Sequence, residues 1–165
     1  QLSGVTADEI KAAMASFQGI ERRFDFKIKT DKMVYLSDYA HHPEEIKQSI
    51  LSMRALYGNK KLTAVFQPHL YTRTRDFYQE FADSLSLFDD VILTDIYPAR
   101  ELPIPGVTSQ LIADNLKPGV PCTLCQKGEV TDIVRQRSND IEILVLLGAG
   151  DLETQASTIT SILKG

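Results

Sequence analysis

The segment Leu62-Thr-Ala-Val-Phe66-Gln-Pro-His69-Leu-Tyr-Thr-Arg73-Thr-Arg75 joins an apolar, strand-like run to a polar loop and then to a helix-like pattern. This rhythm recurs along the chain. Apolar runs lie at 34–38, 62–66, 91–96, 121–125 and 142–147, and helical stretches lie near 44–57, 74–88, 108–116, 128–137 and 151–164. Such alternation requires right-handed crossovers and a parallel sheet with helices on both faces. We therefore predict one α/β domain over residues 1–165, with a three-layer αβα, Rossmann-like and mostly parallel sheet.

The first forty residues have a different pattern. Thr6-Ala-Asp-Glu9 is a capping box, and apolar residues follow it at helical spacing, which predicts a helix within residues 1–18. Phe24-Asp-Phe-Lys-Ile28 alternates as a strand does, and a short turn leads to the run at 34–38. These two runs predict an antiparallel hairpin at the N-terminal edge of the sheet.

Composition excludes several classes of function. The chain has 165 residues, of which 43% are hydrophobic and 24% charged, as in an ordinary globular domain. Its formal net charge of −4 argues against a general nucleic-acid binder. The longest apolar run, Ile143 to Leu147, has the length of a buried strand, and nothing resembles a secretory signal or a membrane span. We expect a cytoplasmic protein without nucleic-acid or membrane partners.

Cys122 and Cys125 have the C-x-x-C spacing of metal and thiol-redox sites. They lie, however, in a run that reads as a strand, where residues three apart point to opposite faces. A redox pair normally opens a helix, and a second pair of ligands is missing. We predict two buried free thiols, as suits a reducing compartment.

All three histidines fall in two loops that directly follow strand-like runs, where open α/β sheets bind ligands. In the first loop, His42 as N-cap and Pro43 as first helical residue are explained by a well-capped helix. Asp38 and His41 are not explained in this way and are candidates for a site. His41 and Glu45 are four residues apart, but Pro43 places His41 before the helix, so we predict no metal site.

The second loop combines His69, Arg73 and Arg75 with three hydroxyl groups at a helix N-terminus, which favours an anion. The alternative is a solvated helix start paired with acids such as Asp76. In the loop after the third parallel strand, Arg100 and Glu101 could be positioned for a site, or they could equally form an ion pair on the surface. The turn Gly148-Ala-Gly150-Asp151 permits close backbone approach, although Asp151 is also a natural N-cap.

Phosphate-binding fingerprints are missing from the chain. Neither the G-x-x-x-x-G-K-[ST] loop nor the G-x-G-x-x-G turn occurs in it. The chain can supply arginines and histidines to a polyphosphate but cannot cradle one alone.

Five segments, in this order, carry a resemblance to a known family. They are Gly19-Ile-Glu-Arg22-Arg23-Phe24, Asp38-Tyr-Ala-His41-His42-Pro43-Glu44-Glu45-Ile46, Phe66-Gln-Pro-His69-Leu-Tyr-Thr-Arg73-Thr-Arg75-Asp76, Tyr97-Pro-Ala-Arg100-Glu101 and Gly148-Ala-Gly150-Asp151. The chain resembles the C-terminal domain of the Mur ligase family, in particular of those members that join L-alanine to UDP-N-acetylmuramate in peptidoglycan synthesis.

The resemblance implies a three-domain, ATP-dependent ligase in which ATP phosphorylates the muramoyl carboxylate and the amine of L-alanine attacks the acyl phosphate. The N-terminal UDP-sugar domain and the central ATPase domain would be partners outside this chain, and residues 1–18 would be the junction helix from the central domain. ATP and Mg²⁺ would be held mainly by that central domain. The isolated domain is therefore expected to be inactive.

The resemblance also implies roles for individual residues. Those near the nucleotide would be Arg23, Asp38 and His41. Those facing the alanine and its surroundings would be His69, Tyr71, Arg73, Arg100 and Asp151. The catalytic residues among them would be His41, His69 and Arg73.

Alternatives stay open at this point. Some relatives carry an arginine where this chain has Leu70, so one candidate cation is lost. The ligase that recycles the UDP-muramoyl tripeptide shares the Asp-x-x-His-His-Pro loop but usually lacks the Phe-Gln-Pro-His segment. A stand-alone nucleotide- or anion-binding module with a flavodoxin-like sheet is a further alternative. Metal-dependent hydrolysis by the three histidines ranks last, because His42 is already explained as a cap.

Overall fold

The computed structural model describes residues 4–17 and 19–165. Its helices are α1 (Ala7–Ser16), α2 (Pro43–Tyr57), α3 (Tyr71–Leu85), α4 (Ser109–Ala113), α5 (Val130–Arg137) and α6 (Ala156–Lys164). Its strands are β1 (Asp25–Lys29), β2 (Val34–Asp38), β3 (Leu62–Phe66), β4 (Asp90–Thr94), β5 (Cys122–Cys125) and β6 (Ile143–Leu147). A helix was predicted within residues 1–18; residues 1–3 and 18 of this range lie outside the part of the chain that the structure describes. Among the helices described, none has the length and apolar character needed to cross a bilayer.

The six strands form one sheet in the order β1-β2-β6-β3-β4-β5. β1 runs antiparallel to β2, and every other neighbouring pair is parallel. The prediction of a mostly parallel sheet with an antiparallel edge hairpin is confirmed. β6, the last strand in the chain, lies between β2 and β3. Its last residue, Leu147, is in register with Asp38 on one side and Phe66 on the other, so the three carboxyl ends are level.

Helices cover both faces of the sheet, as predicted. On one face, Ile50 of α2, Phe81 of α3 and Ile112 of α4 belong to a single buried cluster with alternate residues of the strands. On the other face, Val134 of α5 and Ile159 of α6 belong to a second buried cluster. The inner strands β3, β4 and β6 are buried along their whole length, which explains their continuous apolar runs.

Several helix boundaries differ from those expected, and two of the differences have a clear physical cause. α3 begins at Tyr71 instead of 74, because its first turn receives a hydrogen-bond acceptor from a distant loop, described below. α4 ends at Ala113 instead of 116. There the backbone N–H groups of Asn115 and Leu116 donate to carbonyls only three residues back, so the chain tightens out of the α-helical pattern.

Cys122 and Cys125 pack against the two different buried clusters and so lie on opposite faces of β5, as predicted. The prediction of full burial was wrong, because β5 is the edge strand and both residues are half-buried. Burial raises the pKa of both thiols, and it raises that of Cys125 to about 11 with help from the charges of Glu129 and Asp95. The raised pKa values favour the protonated, less reactive form of both thiols at neutral pH.

Two leucines at the end of α3 test the placement of the core. Leu85 is fully buried, whereas Leu87 is 37% exposed. Leu85→Ala is expected to lower the free energy of unfolding by about 2–5 kcal/mol, because the change leaves a cavity. Leu87→Ala removes the same atoms from a site near solvent and is expected to cost about 1 kcal/mol or less. Urea unfolding followed by circular dichroism measures both values, and equal losses would contradict the described core.

Candidate functional site

Four rings form a continuous row along the carboxyl edge of the sheet. The ring centroids of Tyr39 and His41 are 5.2 Å apart, those of His41 and His69 are 6.1 Å apart, and those of His69 and Tyr97 are 5.5 Å apart. These rings come from the loops that follow β2, β3 and β4. Three arginines join them in what we call the carboxyl-edge cluster: Tyr39, His41, His69, Tyr97, Arg22, Arg23 and Arg73. The structure thus brings Arg23, His41, His69 and Arg73, four of the predicted site residues, together from separate segments of the chain. Their roles stay predictions.

Arg22 and Arg23 both lie over the ring of Tyr39, with their guanidinium carbons 4.7 and 5.2 Å from its centroid. Such cation–π contacts fix the direction of the guanidinium planes. Nη2 of Arg22 also donates to the carbonyl oxygens of Gly148 and Gly150, each at 3.3 Å, and so ties the hairpin entry to the turn after β6. The exposed Arg23 guanidinium has no hydrogen bond or ion pair to any described residue. It is therefore available to an external anion.

The ring of His41 is held by its Nδ1 atom. This atom lies 2.9 Å from the carbonyl oxygen of Tyr39 and 3.3 Å from Oε2 of Glu45. The Glu45 carboxylate accepts hydrogen bonds from the backbone N–H groups of His41 and His42, at 2.9 and 3.1 Å, as in the predicted capped start of α2. Partial burial alone would raise the pKa of Glu45, but these hydrogen bonds and the charges of His41 and Arg23 hold it below its usual range.

Glu45 was missed as a site residue. The sequence offered a signal, since Glu45 lies four residues after His41, but Pro43 between them suggested that the two side chains could not meet on one helix face. They meet because the extended backbone of His42 turns the chain back over the first turn of α2.

His69 and Arg73 also form a pair. Nη1 of Arg73 lies 3.4 Å from Nδ1 of His69, and both side chains are half-buried. Burial lowers the pKa of His69, and the positive charges of Arg73 and His41 lower it further, against the smaller effect of Glu101. The ring is therefore neutral near pH 7. Because a guanidinium only donates, Nδ1 is the acceptor and the hydrogen resides on Nε2.

The N-terminus of α3 is already occupied by a carboxylate of the chain. Glu101 accepts from the backbone N–H of Thr72 at 2.9 Å and from the Thr72 hydroxyl. The prediction of free N–H groups there was wrong, as was the alternative in which Arg100 and Glu101 form a surface pair. Arg75 is exposed and pairs with Asp76 at 2.7 Å, so the solvated alternative holds for this arginine.

Backbone hydrogen bonds join the second and third loops. The N–H of Leu70 donates to the carbonyl of Tyr97, and the N–H of Tyr97 donates to that of Pro68, at 2.9 and 2.8 Å. This pairing places the rings of His69 and Tyr97 in a stack. It also holds Leu70 at a φ of +74°, an unusual conformation for a residue with a side chain.

The turn after β6 approaches the second loop closely, as predicted. A Cβ atom at Gly150 would lie 2.3 Å from Oε1 of Gln67 and 2.9 Å from the side chain of Tyr97. The buried Gln67 side chain joins the two loops, since its Nε2 donates to Asp151 and its Oε1 accepts from the N–H of Leu152. Only glycine at position 150 leaves room for this arrangement.

Two predicted site residues have partners of their own outside the carboxyl-edge cluster. Asp151 pairs with Lys127 and accepts from Gln67. Partial burial would raise the pKa of Asp151, but these two contacts keep it below its usual range. Asp38 accepts from the Ser49 hydroxyl at 2.7 Å, beneath the first turns of α2.

Tyr71 and Arg100 also lie apart from the cluster. Tyr71 lines a cavity of about 220 Å³ whose other walls include Ile96, Val107 and Leu124. Arg100 is exposed and has no hydrogen bond or ion pair to the residues that the structure describes. Substrate binding by either residue stays a prediction.

Known proteins resemble the chain over nearly its whole length. A family model described as "Mur ligase, glutamate ligase domain" matches residues 22–152. A UDP-N-acetylmuramate–L-alanine ligase of Phocaeicola vulgatus is 67% identical over 164 residues, which are 99% of this chain and 35% of that protein. One from Parabacteroides distasonis is 52% identical, over 98% of this chain and 34% of that protein. The chain thus spans about a third of the length of these curated relatives.

A solved structure supports the fold independently. The UDP-N-acetylmuramate–alanine ligase of Thermotoga maritima superposes with a TM-score of 0.78 at 23% identity, over 99% of this chain and 34% of the other. At this low identity, the likeness bears on the fold alone.

The pairing of His69 with Arg73 predicts an NMR titration. In the parent chain, His69 is expected to titrate below the ordinary histidine value of about 6.5. Arg73→Gln removes the positive charge beside the ring and is expected to move the midpoint upward. Arg75→Gln serves as the matched control, because this neighbouring arginine is exposed and paired with Asp76. An unchanged midpoint in Arg73→Gln, or equal shifts in both variants, would contradict the described pair.

Proposed function

The chain belongs to the Mur ligase family, and on this premise we propose that it is the C-terminal domain of an ATP-dependent ligase that joins L-alanine to UDP-N-acetylmuramate. The observation that carries the proposal is the 67% identity to such a ligase over 99% of the chain. The carboxyl-edge cluster supports it, because it gathers groups suited to anions and to an amine. In this proposal the two remaining domains of the ligase, which hold the UDP-sugar and most of the ATP contacts, are the partners of this one.

The reaction requires fixed positive charge and proton acceptors at one place. ATP supplies the phosphoryl group that activates the muramoyl carboxylate. The amine of L-alanine then attacks the acyl phosphate, and inorganic phosphate leaves. Negative charge develops on oxygen atoms in both steps, so preorganised cations and hydrogen-bond donors stabilise the transition states.

Arg23 fits the nucleotide side of this reaction. Its guanidinium is exposed and lies over the ring of Tyr39, and its charge acts on Glu45 without a hydrogen bond or ion pair to any described residue. In our proposal Asp38 and His41, at and just after the end of β2, line the junction between nucleotide and substrate, although the Asp38 carboxylate accepts a hydrogen bond from Ser49 in this structure. Among the described residues, no three His, Cys, Asp or Glu side chains are grouped as a metal ion would require. In the proposed ligase, the resemblance to the family assigns Mg²⁺ to the central domain.

Arg73 and His69 fit the alanine side. A guanidinium binds a carboxylate with two parallel hydrogen bonds, and Nε2–H of His69 adds a neutral donor beside it. Leu70 supplies no charge, so Arg73 carries the electrostatic part of this binding in our proposal. Tyr71, Arg100 and Asp151 are assigned to the alanine side by family resemblance alone. Tyr71 lines a separate cavity, Asp151 pairs with Lys127, and Arg100 has no hydrogen bond or ion pair to a described residue.

A chimera tests the proposed function. This chain would replace the 164 matching residues of the Phocaeicola vulgatus ligase, and phosphate release would be measured with UDP-N-acetylmuramate, ATP and L-alanine. Arg73→Ala is expected to cost about 2–5 kcal/mol of transition-state stabilisation, roughly a 30-fold or larger loss of kcat/KM. Arg135→Ala is the control, because this arginine pairs with Asp132 on α5 at an exposed site.

The outcomes of the chimera experiment are distinct. Turnover with L-alanine and a selective loss in Arg73→Ala support the proposal. A chimera that is folded but inactive with L-alanine would overturn it. Turnover with a preformed tripeptide in place of alanine would favour the recycling ligase.

The chain by itself is expected to show neither ATP hydrolysis nor amide formation, because its loops cannot cradle the phosphates. Phosphate release and product formation over several hours check this, and isothermal titration measures ATP affinity. Ligase turnover by the 165 residues would contradict the division of labour proposed here. Tight ATP binding without turnover would instead favour a stand-alone nucleotide-binding module.

A further inference from the structure

We propose that His41 accepts the proton that the ammonium group of the incoming amino acid must lose before its nitrogen can attack. Glu45 positions His41 for this step. The inference rests on the proposed function and deepens it. It assigns a role to Glu45, which neither the resemblance nor the cap of α2 requires. It also assigns different roles to the two histidines of the carboxyl-edge cluster.

The contacts of His41 determine which ring nitrogen is free. Nδ1 lies 2.9 Å from the carbonyl oxygen of Tyr39 and 3.3 Å from Oε2 of Glu45. Carbonyl and carboxylate oxygens only accept, so Nδ1 must carry a hydrogen. In the neutral ring the lone pair is then on Nε2. The two acceptors thus hold the tautomer whose Nε2 can take a proton.

His69 is held in the opposite tautomer. Its Nδ1 accepts from Arg73, so its hydrogen resides on Nε2, and it can donate but cannot accept there. The two ring centroids are 6.1 Å apart, so that one small amino acid can contact both rings. We therefore assign the carboxylate side of the amino acid to His69 and the amine side to His41.

The chemical step balances without any further reactant. The ammonium group of the amino acid transfers one proton to Nε2 of His41 and becomes a neutral amine. The amine nitrogen donates its lone pair to the acyl carbon, the C–N bond forms, and the bond from carbon to the phosphate oxygen breaks. Phosphate leaves with that electron pair and takes the second proton of the attacking nitrogen, so that a neutral amide and hydrogen phosphate result. The imidazolium later releases the first proton to solvent.

The charges around His41 decide whether it can hold the proton. Arg23 lies over the neighbouring ring of Tyr39, the ring of His69 lies 6.1 Å from that of His41, and Arg73 contacts His69. A positive charge on any of these three side chains disfavours an imidazolium at His41. The uncharged ring of Tyr39 covers one side. Glu45 supplies the compensating negative charge, next to the nitrogen that does not take the incoming proton. This is the arrangement in which a carboxylate orients a histidine base and stabilises its protonated form.

The test uses the chimera with the Phocaeicola vulgatus ligase. Glu45→Gln keeps an oxygen that accepts from the N–H groups of His41 and His42, because glutamine also serves in a capping box. The variant therefore loses the charge but keeps the helix start. Glu44→Gln removes the same charge from the same helix turn and is the control, since Glu44 contacts only Gln48 and Lys47 among the described residues.

The expected readout is a pH profile. In Glu45→Gln, the acid limb of the kcat profile moves to lower pH, because protonated His41 loses its anionic neighbour, and the plateau falls roughly tenfold. The KM for L-alanine changes little, since the carboxylate contacts are untouched. His41→Ala lowers kcat roughly 100-fold. Glu44→Gln gives the profile of the parent chimera.

Each failure has its own meaning. An active chimera whose profile is the same with Glu45→Gln overturns the inference and leaves the proposed function standing. So does a ¹⁵N NMR spectrum of the chain in which neutral His41 carries its hydrogen on Nε2. A folded chimera without activity toward L-alanine overturns both. The expected profile together with the Nδ1–H tautomer supports both.

Discussion

The position of β6 between β2 and β3 is the constraint on which the site depends. Because the carboxyl ends of these strands are level, the loops that follow them must share the same space. They can do so only because the turn after β6 consists of Gly148-Ala-Gly150, against whose backbone Gln67, Tyr97 and Arg22 pack. The helix after β6 packs on the opposite face of the sheet from the helices after β2 and β3, and the carboxyl edge of such a sheet is where open α/β folds bind ligands. The carboxyl-edge cluster is thus a consequence of strand order.

Much of the fold could be predicted because its determinants are local. Period-two and period-3.6 patterns reveal strands and helices, and the rule on carboxyl ends locates the site before any contact is known. Some of the contacts that the sequence did not reveal involve partners far away in sequence. Glu101 reaches back 29 residues to bind Thr72 at the start of α3, and Lys127 reaches Asp151 across 24 residues. Neither contact can be recognised from the periodicity of the sequence, because each depends on which loops the strand order brings together.

The arginines show the same limit within a single motif. Arg73 and Arg75 are two residues apart, and sequence reasoning placed both at one anion site. On a helix, residues at i and i+2 do not share a face. Arg73 therefore turns toward His69, and Arg75 turns to solvent and Asp76. Arg22 and Arg23 differ in a similar way, because the first is bound to carbonyl oxygens of the glycine turn and the second is free of them.

The exposure of the carboxyl-edge cluster to water explains why a second domain would strengthen its interactions with a substrate. The side chain of His41 retains 24% of its exposure, and Arg23 is open to solvent. Two unit charges 4 Å apart interact by about 1 kcal/mol in water and by about 4 kcal/mol at the effective dielectric of a protein surface. A domain that covers the cluster would exclude water and strengthen every interaction of Arg23, Arg73 and the Glu45–His41 pair with a bound substrate. Under the proposed function, the cluster therefore interacts weakly with substrate while it is exposed to water and strongly once another domain covers it. This restricts the reaction to the assembled enzyme.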